Sequence, residues 1–301
     1  MLKNYEELME KSRQQGKITV SVAAAQDKDV LQAVKAAMDR DLIDVILVGD
    51  QAKIRDLLAE VGLPADTEII DELDVTQAAL RAVALVREGK AQVYMKGLVN
   101  SAIFLKALVD KEVGLRTGRI LSHLTAYEIP GAQKLVFFSD GGVNIAPGLE
   151  EKKEILINAL EALSALGYEQ PKVAVLAANE VVNPKMPATV DAAALMEMNV
   201  NGAFAPAIVE GPIAMDVAVS AEAAHHKGIA SRIAGEVDLF LMPGIEAGNI
   251  LSKALVYYAN FKIAGVIVGA ANPAVMVSRS DTAESKLYSI VLACLIAGKT
   301  A

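Results

Sequence analysis

Residues 264–287 read AGVIVGAANPAVMVSRSDTAESKL, and this stretch passes from strand to turn to strand to helix. Val266, Ile267 and Val268 form a β-branched apolar run, the composition of a buried strand. Gly269 to Pro273 supplies turn residues, and Ala274 to Val277 predicts a second strand. Beyond Ser278-Arg279-Ser280-Asp281 the period changes. Leu287, Ile290, Val291, Cys294 and Leu295 recur at helical spacing, which predicts a helix with one buried face. Asp281 with Glu284 three residues on predicts its N-cap and capping box. A serine hydroxyl and a guanidinium thus stand at a strand-to-helix junction, where free N–H groups and the helix dipole favour an anion. One reading is a phosphate or carboxylate site on Ser278, Arg279 and Ser280. The other is a well-capped helix with an exposed arginine. The stretch alone leaves both open.

Working outward, the strand–helix alternation recurs along all 301 residues. Strands are predicted at Ile18–Ala24, Val45–Val48, Glu68–Ile70, Val93–Met95, Ile120–Leu124, Lys134–Phe138, Val173–Leu176, an apolar stretch through Val209, and Asp238–Met242, with helices between them. Such alternation predicts an α/β protein with parallel sheets covered by helices. The length favours two domains. A composition 53% apolar with no tryptophan agrees with cores of Ala, Val, Leu and Ile.

Several function classes drop out. A net charge of −8 with no basic cluster disfavours nucleic acid as a partner. The single cysteine excludes an internal disulfide and suits a reducing compartment, so a cytoplasmic protein is expected. The first residues, MLKNYEELMEKSRQQ, are charged and helical in pattern, and no apolar run approaches the ~18 residues of a membrane span. No glycine fingerprint for dinucleotides, no P-loop and no zinc-type Cys/His spacing is present. His225 and His226 are adjacent and point about 100° apart on a helix, so they cannot share a metal. No metal site is expected.

In parallel α/β sheets ligands bind beyond the C-terminal ends of the strands, so the exits carry the candidate residues. They are Lys96-Gly97 with Asn100, Asp140, Asn183-Pro184, Glu210-Gly211-Pro212 ahead of Asp216, Glu246-Ala-Gly-Asn249, and Ser278-Arg279. Lys96 and Lys106 could hold phosphate, with Gly97 letting backbone approach it. Arg116 and Arg119 add two cations on a polar turn.

Together these exits carry a resemblance. Met95-Lys-Gly97, Asn144-Ile-Ala-Pro147, Val182-Asn-Pro-Lys-Met186, Gly211-Pro-Ile-Ala-Met-Asp216, Ile245-Glu-Ala-Gly-Asn249 and Ser278-Arg-Ser-Asp281 resemble, in order and spacing, the phosphate butyryltransferases, and more widely the phosphate acetyltransferase family. The resemblance implies a fold of the isocitrate/isopropylmalate dehydrogenase type, two α/β domains with a cleft between them. It implies a discontinuous first domain, residues 1–130 plus 277–301, and a second from 131 to 276.

The implied reaction moves a short acyl group, butyryl preferred, from CoA to orthophosphate, reversibly. CoA thioester is then a substrate, and neither a cofactor nor a metal is needed. By the same resemblance Arg279 grips phosphate and Ser278 positions the substrate or contacts the oxyanion. The family's proposed base, six residues beyond the arginine, falls on Ser285, so that role does not carry over; Asp281 and Asp216 are the substitutes. Lys96, Gly97, Asn100, Arg116, Asn183, Glu246 and Asn249 are the expected substrate contacts, and a homo-oligomer is expected. Transfer of acetyl or branched acyl groups is the nearest alternative. A dehydrogenase of the same fold and a non-catalytic anion-binding module are more distant ones.

Overall fold

The computed structural model describes residues 1–278 and 281–298. The chain opens with α1 (Tyr5–Gln15), β1 (Ile18–Ala23), α2 (Lys28–Met38), β2 (Ile43–Gly49), α3 (Gln51–Val61), β3 (Glu68–Asp71), α4 (Val75–Arg87), β4 (Val93–Lys96) and α5 (Ser101–Leu108). It continues with β5 (Ser122–Glu128), β6 (Val136–Ser139), α6 (Leu149–Ala165), β7 (Lys172–Leu176), α7 (Pro187–Val200), β8 (Ile208–Ile213), α8 (Met215–Val219), α9 (Ala221–His226), β9 (Leu239–Leu241) and α10 (Ile245–Ala259). β10 (Lys262–Val268), β11 (Ala274–Val275) and α11 (Ala283–Ala297) follow.

Internal contacts divide the chain into a discontinuous unit, Leu2–Arg119 with Ile263–Ala301, and a continuous unit, Ile120–Lys262. These limits differ from residues 131 and 277, and strand pairing gives the reason. β5 pairs antiparallel with β6 and therefore goes with the continuous unit. β10 pairs antiparallel with β11, which itself lies parallel to β4, so both join the discontinuous unit.

In the discontinuous unit the strand order is β3-β2-β1-β4-β11-β10, parallel apart from the last pair. Val20 and Val22 of β1 are fully buried, as are Ala78, Ala79 and Ala82 of α4, which packs on β1 through these small side chains. Asn4, Asp27, Asp50, Asp74 and Asn100 each cap the helix that follows them, their side chains accepting a first-turn N–H. α11 departs from the sequence expectation. Every residue from Lys286 to Ala297 is buried, because α1 and α2 pack on it from one side and β4 and β11 from the other. Tyr5 and Tyr288 stack at 4.0 Å within that layer.

In the continuous unit the order is β5-β6-β9-β7-β8, parallel except for β5 with β6. β8 continues through Glu210-Gly211-Pro212 to Ile213, so the exit expected at residues 210–212 lies inside the strand. Pro212 is accommodated because β8 is the last strand of this order, where one side of the ladder is open. Among the described residues no helix is long and apolar enough to cross a membrane.

Candidate functional site

In the discontinuous unit β4 and β11 run parallel with Val275 beside Met95, so Lys96 and Ser278 leave the sheet at the same edge. Lys96 is buried at 7% exposure, and its Nζ lies 3.4 Å from the Gly97 carbonyl. Gly97 N–H donates to Ala23 O at 2.9 Å and Leu98 N–H to Ala24 O at 2.7 Å. A Cβ on Gly97 would stand 2.4 Å from Ala24 O, so only glycine lets this exit lie flat against that of β1. Asn100 caps α5, accepting from Ala102 N–H at 2.8 Å.

Ser278 is exposed, and its N–H donates to Asp281 Oδ2 at 2.7 Å; Asp281 N–H returns to Ser278 O at 3.2 Å. Arg279 and Ser280 lie outside the described residues. The N-cap of α11 is Thr282, not Asp281: its Oγ1 accepts Ser285 N–H at 3.1 Å, while the Asp281 carboxylate is taken up by Ser278 N–H. Glu284 is not the capping-box partner either; it accepts the Tyr288 hydroxyl at 2.5 Å. Lys286, 2% exposed, donates to Asp281 O at 2.5 Å.

Arg116 is not brought to this edge. Ala271 N–H donates to Leu115 O at 2.8 Å and Thr117 Oγ1 to Gly269 O at 2.6 Å. The Gly269–Asn272 turn joins β10 to β11, and Asn272 Nδ2 holds Gln92 O, just ahead of β4. This is the edge where β4 begins, so Arg116 stands exposed at the end of the sheet opposite Lys96 and Ser278.

In the continuous unit β6, β9, β7 and β8 are mutually parallel, so Asp140, Glu246, Asn249, Asn183 and Asp216 all follow strand ends on one edge. Asp140, 2% exposed, accepts Gly142 N–H (2.7 Å), Val143 N–H (3.0 Å), Asn144 N–H (3.2 Å) and Asn144 Nδ2 (2.6 Å). Asn144 Nδ2 also reaches Leu121 O at 2.9 Å, tying the turn to the start of β5. A buried carboxylate with four donors is a structural knot. α10 begins directly on it. Asn249 Nδ2 donates to Gly141 O at 3.3 Å, and Ile245 N–H to Ile145 O at 3.0 Å. A Cβ on Gly248 would meet Gly141 Cα at 2.7 Å and Asp140 O at 3.0 Å. The Glu-Ala-Gly-Asn run is therefore a backbone-to-backbone contact between two strand exits, with Glu246 exposed beside it.

Asn183 builds a turn: its Oδ1 accepts Lys185 N–H at 2.9 Å, and its N–H donates to buried Thr189 Oγ1 at 2.8 Å. Asp216 pairs with Lys227 at 2.9 Å, and Lys227 also reaches Glu180 at 3.1 Å. The hydrogen bond from Lys227 holds the Asp216 carboxyl below its usual range, which opposes service as a base near neutrality. Burial pushes the Cys294 thiol up to about 12, the state of an inert core thiol. Among the described residues no three His, Cys, Asp or Glu groups stand close enough to hold a metal ion. Sequence reasoning missed Lys286 and left Asp140 as a strand exit without a role. For Asp140 the readable signal was an aspartate followed by two glycines at a strand end, an Asx-turn pattern.

Residues 65–294 match the family model described as phosphate acetyl/butaryl transferase. The chain belongs to that family. It is a phosphate acyltransferase, and it is 46% identical over 299 residues to phosphate butyryltransferase of Clostridium acetobutylicum, the match covering 99% of each chain. The crystal structure of a branched-chain phosphotransacylase from Enterococcus faecalis V583 fits the acyltransferase with a TM-score of 0.83 at 34% identity, over 93% of this chain and 99% of that one. A 4-hydroxythreonine-4-phosphate dehydrogenase from Klebsiella pneumoniae fits with a TM-score of 0.60 at 16% identity, over 94% and 100% of the chains, and shares the fold alone. The family, the dehydrogenase-type α/β fold and the enzyme class expected from the motifs are thus borne out.

Proposed function

We propose that this acyltransferase moves butyryl groups between CoA and orthophosphate in both directions, in the cytoplasm, as a homo-oligomer and without a metal ion. One observation carries the butyryl preference: the 46% identity, across 99% of both chains, to a phosphate butyryltransferase. A phosphate oxygen attacks the thioester carbonyl carbon; the new C–O bond forms through a tetrahedral oxyanion, and the C–S bond breaks with departure of CoA thiolate. No enzyme nucleophile is needed, which agrees with a buried, protonated Cys294. In this reading Arg279 grips phosphate with its planar fork, Ser278 contacts the developing oxyanion, and Lys96 places a buried positive charge at the same sheet edge. Holding phosphate against the thioester contributes up to ~7–11 kcal/mol in favourable cases. One oxyanion donor adds about 2.7–4 kcal/mol. Gly97, Asn100, Asn183 and the Glu246–Asn249 segment shape the exits rather than react.

Phosphate-dependent release of free thiol from butyryl-, isobutyryl- and acetyl-CoA tests the reading. Butyryl-CoA should be the best substrate, since each methylene that finds a pocket is worth ~1–3 kcal/mol. Equal kcat/KM for acetyl-CoA would replace it with an acetyltransferase, and preference for isobutyryl-CoA with a branched-chain enzyme. Arg279→Lys should raise KM for phosphate and lower kcat, with KM for acyl-CoA little changed. Arg279→Ala should cost ~3–5 kcal/mol in kcat/KM.

A further inference from the structure

Lys286 is the fourth residue of α11 and is 2% exposed. A cation there meets two penalties, loss of water and the positive end of the helix dipole. The other lysine buried on a helix, Lys152, has the Asp191 carboxylate at 2.6 Å. Among the described residues Lys286 has no such ion pair; its hydrogen bond goes to the backbone carbonyl of Asp281 at 2.5 Å. An ammonium carries three N–H donors, so this contact spends one. Asp281 is the residue whose carboxylate takes Ser278 N–H at 2.7 Å and whose own N–H returns to Ser278 O at 3.2 Å. One contact from the buried ammonium to Asp281, and two reciprocal contacts between Asp281 and Ser278, therefore link Lys286 to the Ser278 backbone.

We infer that Lys286 is a positioning residue for Ser278: its ammonium grips the Asp281 carbonyl and so fixes the residue whose carboxylate and N–H hold the Ser278 backbone. The buried charge is kept for turnover and lowers stability, a trade-off known where active sites retain unfavourable groups. The inference rests on the acyl-transfer reading, in which Ser278 faces the reacting carbonyl. It goes beyond that reading by giving the transfer step a residue that touches neither substrate.

The test compares the unmodified enzyme with K286M, D281A and K286M/D281A. Thiol release with phosphate gives kcat and KM, and calorimetry gives Tm. K286M should keep or raise Tm, because an apolar stem of similar length replaces a buried ion. Its kcat should fall on the order of 100-fold, the cost of a misplaced reacting group, while KM for acyl-CoA stays within about threefold. D281A should lose a similar factor, and the double variant no more than either single one, since both act on Ser278 through the same residue. Wild-type kcat in K286M overturns the inference. So does a fall in Tm or failure to fold, which would make Lys286 a support of the fold, and so do losses that multiply in the double variant. An unmodified enzyme that releases no thiol from any of the three acyl-CoAs would sink the acyl-transfer reading itself.

Discussion

Cys294 shows what a buried residue with reactive chemistry can leave undone. Its carbonyl accepts Gln15 Nε2 at 2.9 Å, and it is fully buried, as are Ile290 and Val291. With the thiol held up to about 12, the thiolate fraction at neutral pH is negligible. Cys294→Ala should lower unfolding free energy by on the order of 1–2 kcal/mol, measured in urea, and leave kcat within about twofold. The native enzyme should not react with a thiol reagent until it is unfolded. Cys294 was legible in sequence because its spacing with Leu287, Ile290 and Val291 requires no partner to interpret. Thr282 as the cap was not: Ser278, Asp281 and Thr282 are all cap-forming types within five positions, and only backbone geometry chooses between them. Arg116 was equally opaque, since the edge it reaches depends on Thr117 and Leu115 docking on the Gly269–Ala271 turn, far along the chain.

Elements were more legible than their ends. The strand–helix alternation follows from local apolar period, and every strand expected was found. Two features escaped because they depend on neighbours. β8 runs on through Gly211 and Pro212, which local punctuation marks as a stop, because an edge position forgives a missing N–H donor. α11 is covered on all sides, so a single apolar face understated its burial. The seam between the Asp140 turn and the start of α10 is the element-scale feature on which Asp140, Glu246 and Asn249 depend. Gly248→Ala would drive a methyl group to 2.7 Å from Gly141 Cα, where no flexible side chain can yield. The variant should lose ~1–3 kcal/mol of stability, the usual cost of overpacking, and its kcat/KM should fall as Asn249 moves off Gly141 O. Unchanged stability and activity would show that the two exits can separate freely.

At the scale of the molecule, the discontinuous unit is built from both ends of the described chain. β11 is hydrogen-bonded beside β4, and α11 fills the space between α1, α2 and the sheet. A chain stopped after Lys262 would leave Tyr5 without Tyr288 and β4 without β11, one of its two neighbours. Amides of residues 18–23 and 93–96 should then exchange with solvent orders of magnitude faster than in the full chain, read by hydrogen-exchange mass spectrometry. Native-like protection in that truncated chain would show that residues 2–119 hold together without the return segment.

The same return segment sets an order of events during synthesis. Residues 2–119 emerge from the ribosome before any of the 263–298 segment that completes their sheet exists, and the whole of residues 120–262 must be made in between. At translation rates of about 5–20 residues per second, that wait lasts on the order of ten to thirty seconds. Throughout it, the faces of α1 and α2 that α11 will cover, and the side of β4 that β11 will pair, have no partner from their own chain. The growing chain therefore exposes these surfaces for a set interval, one that ends when α11 clears the exit tunnel.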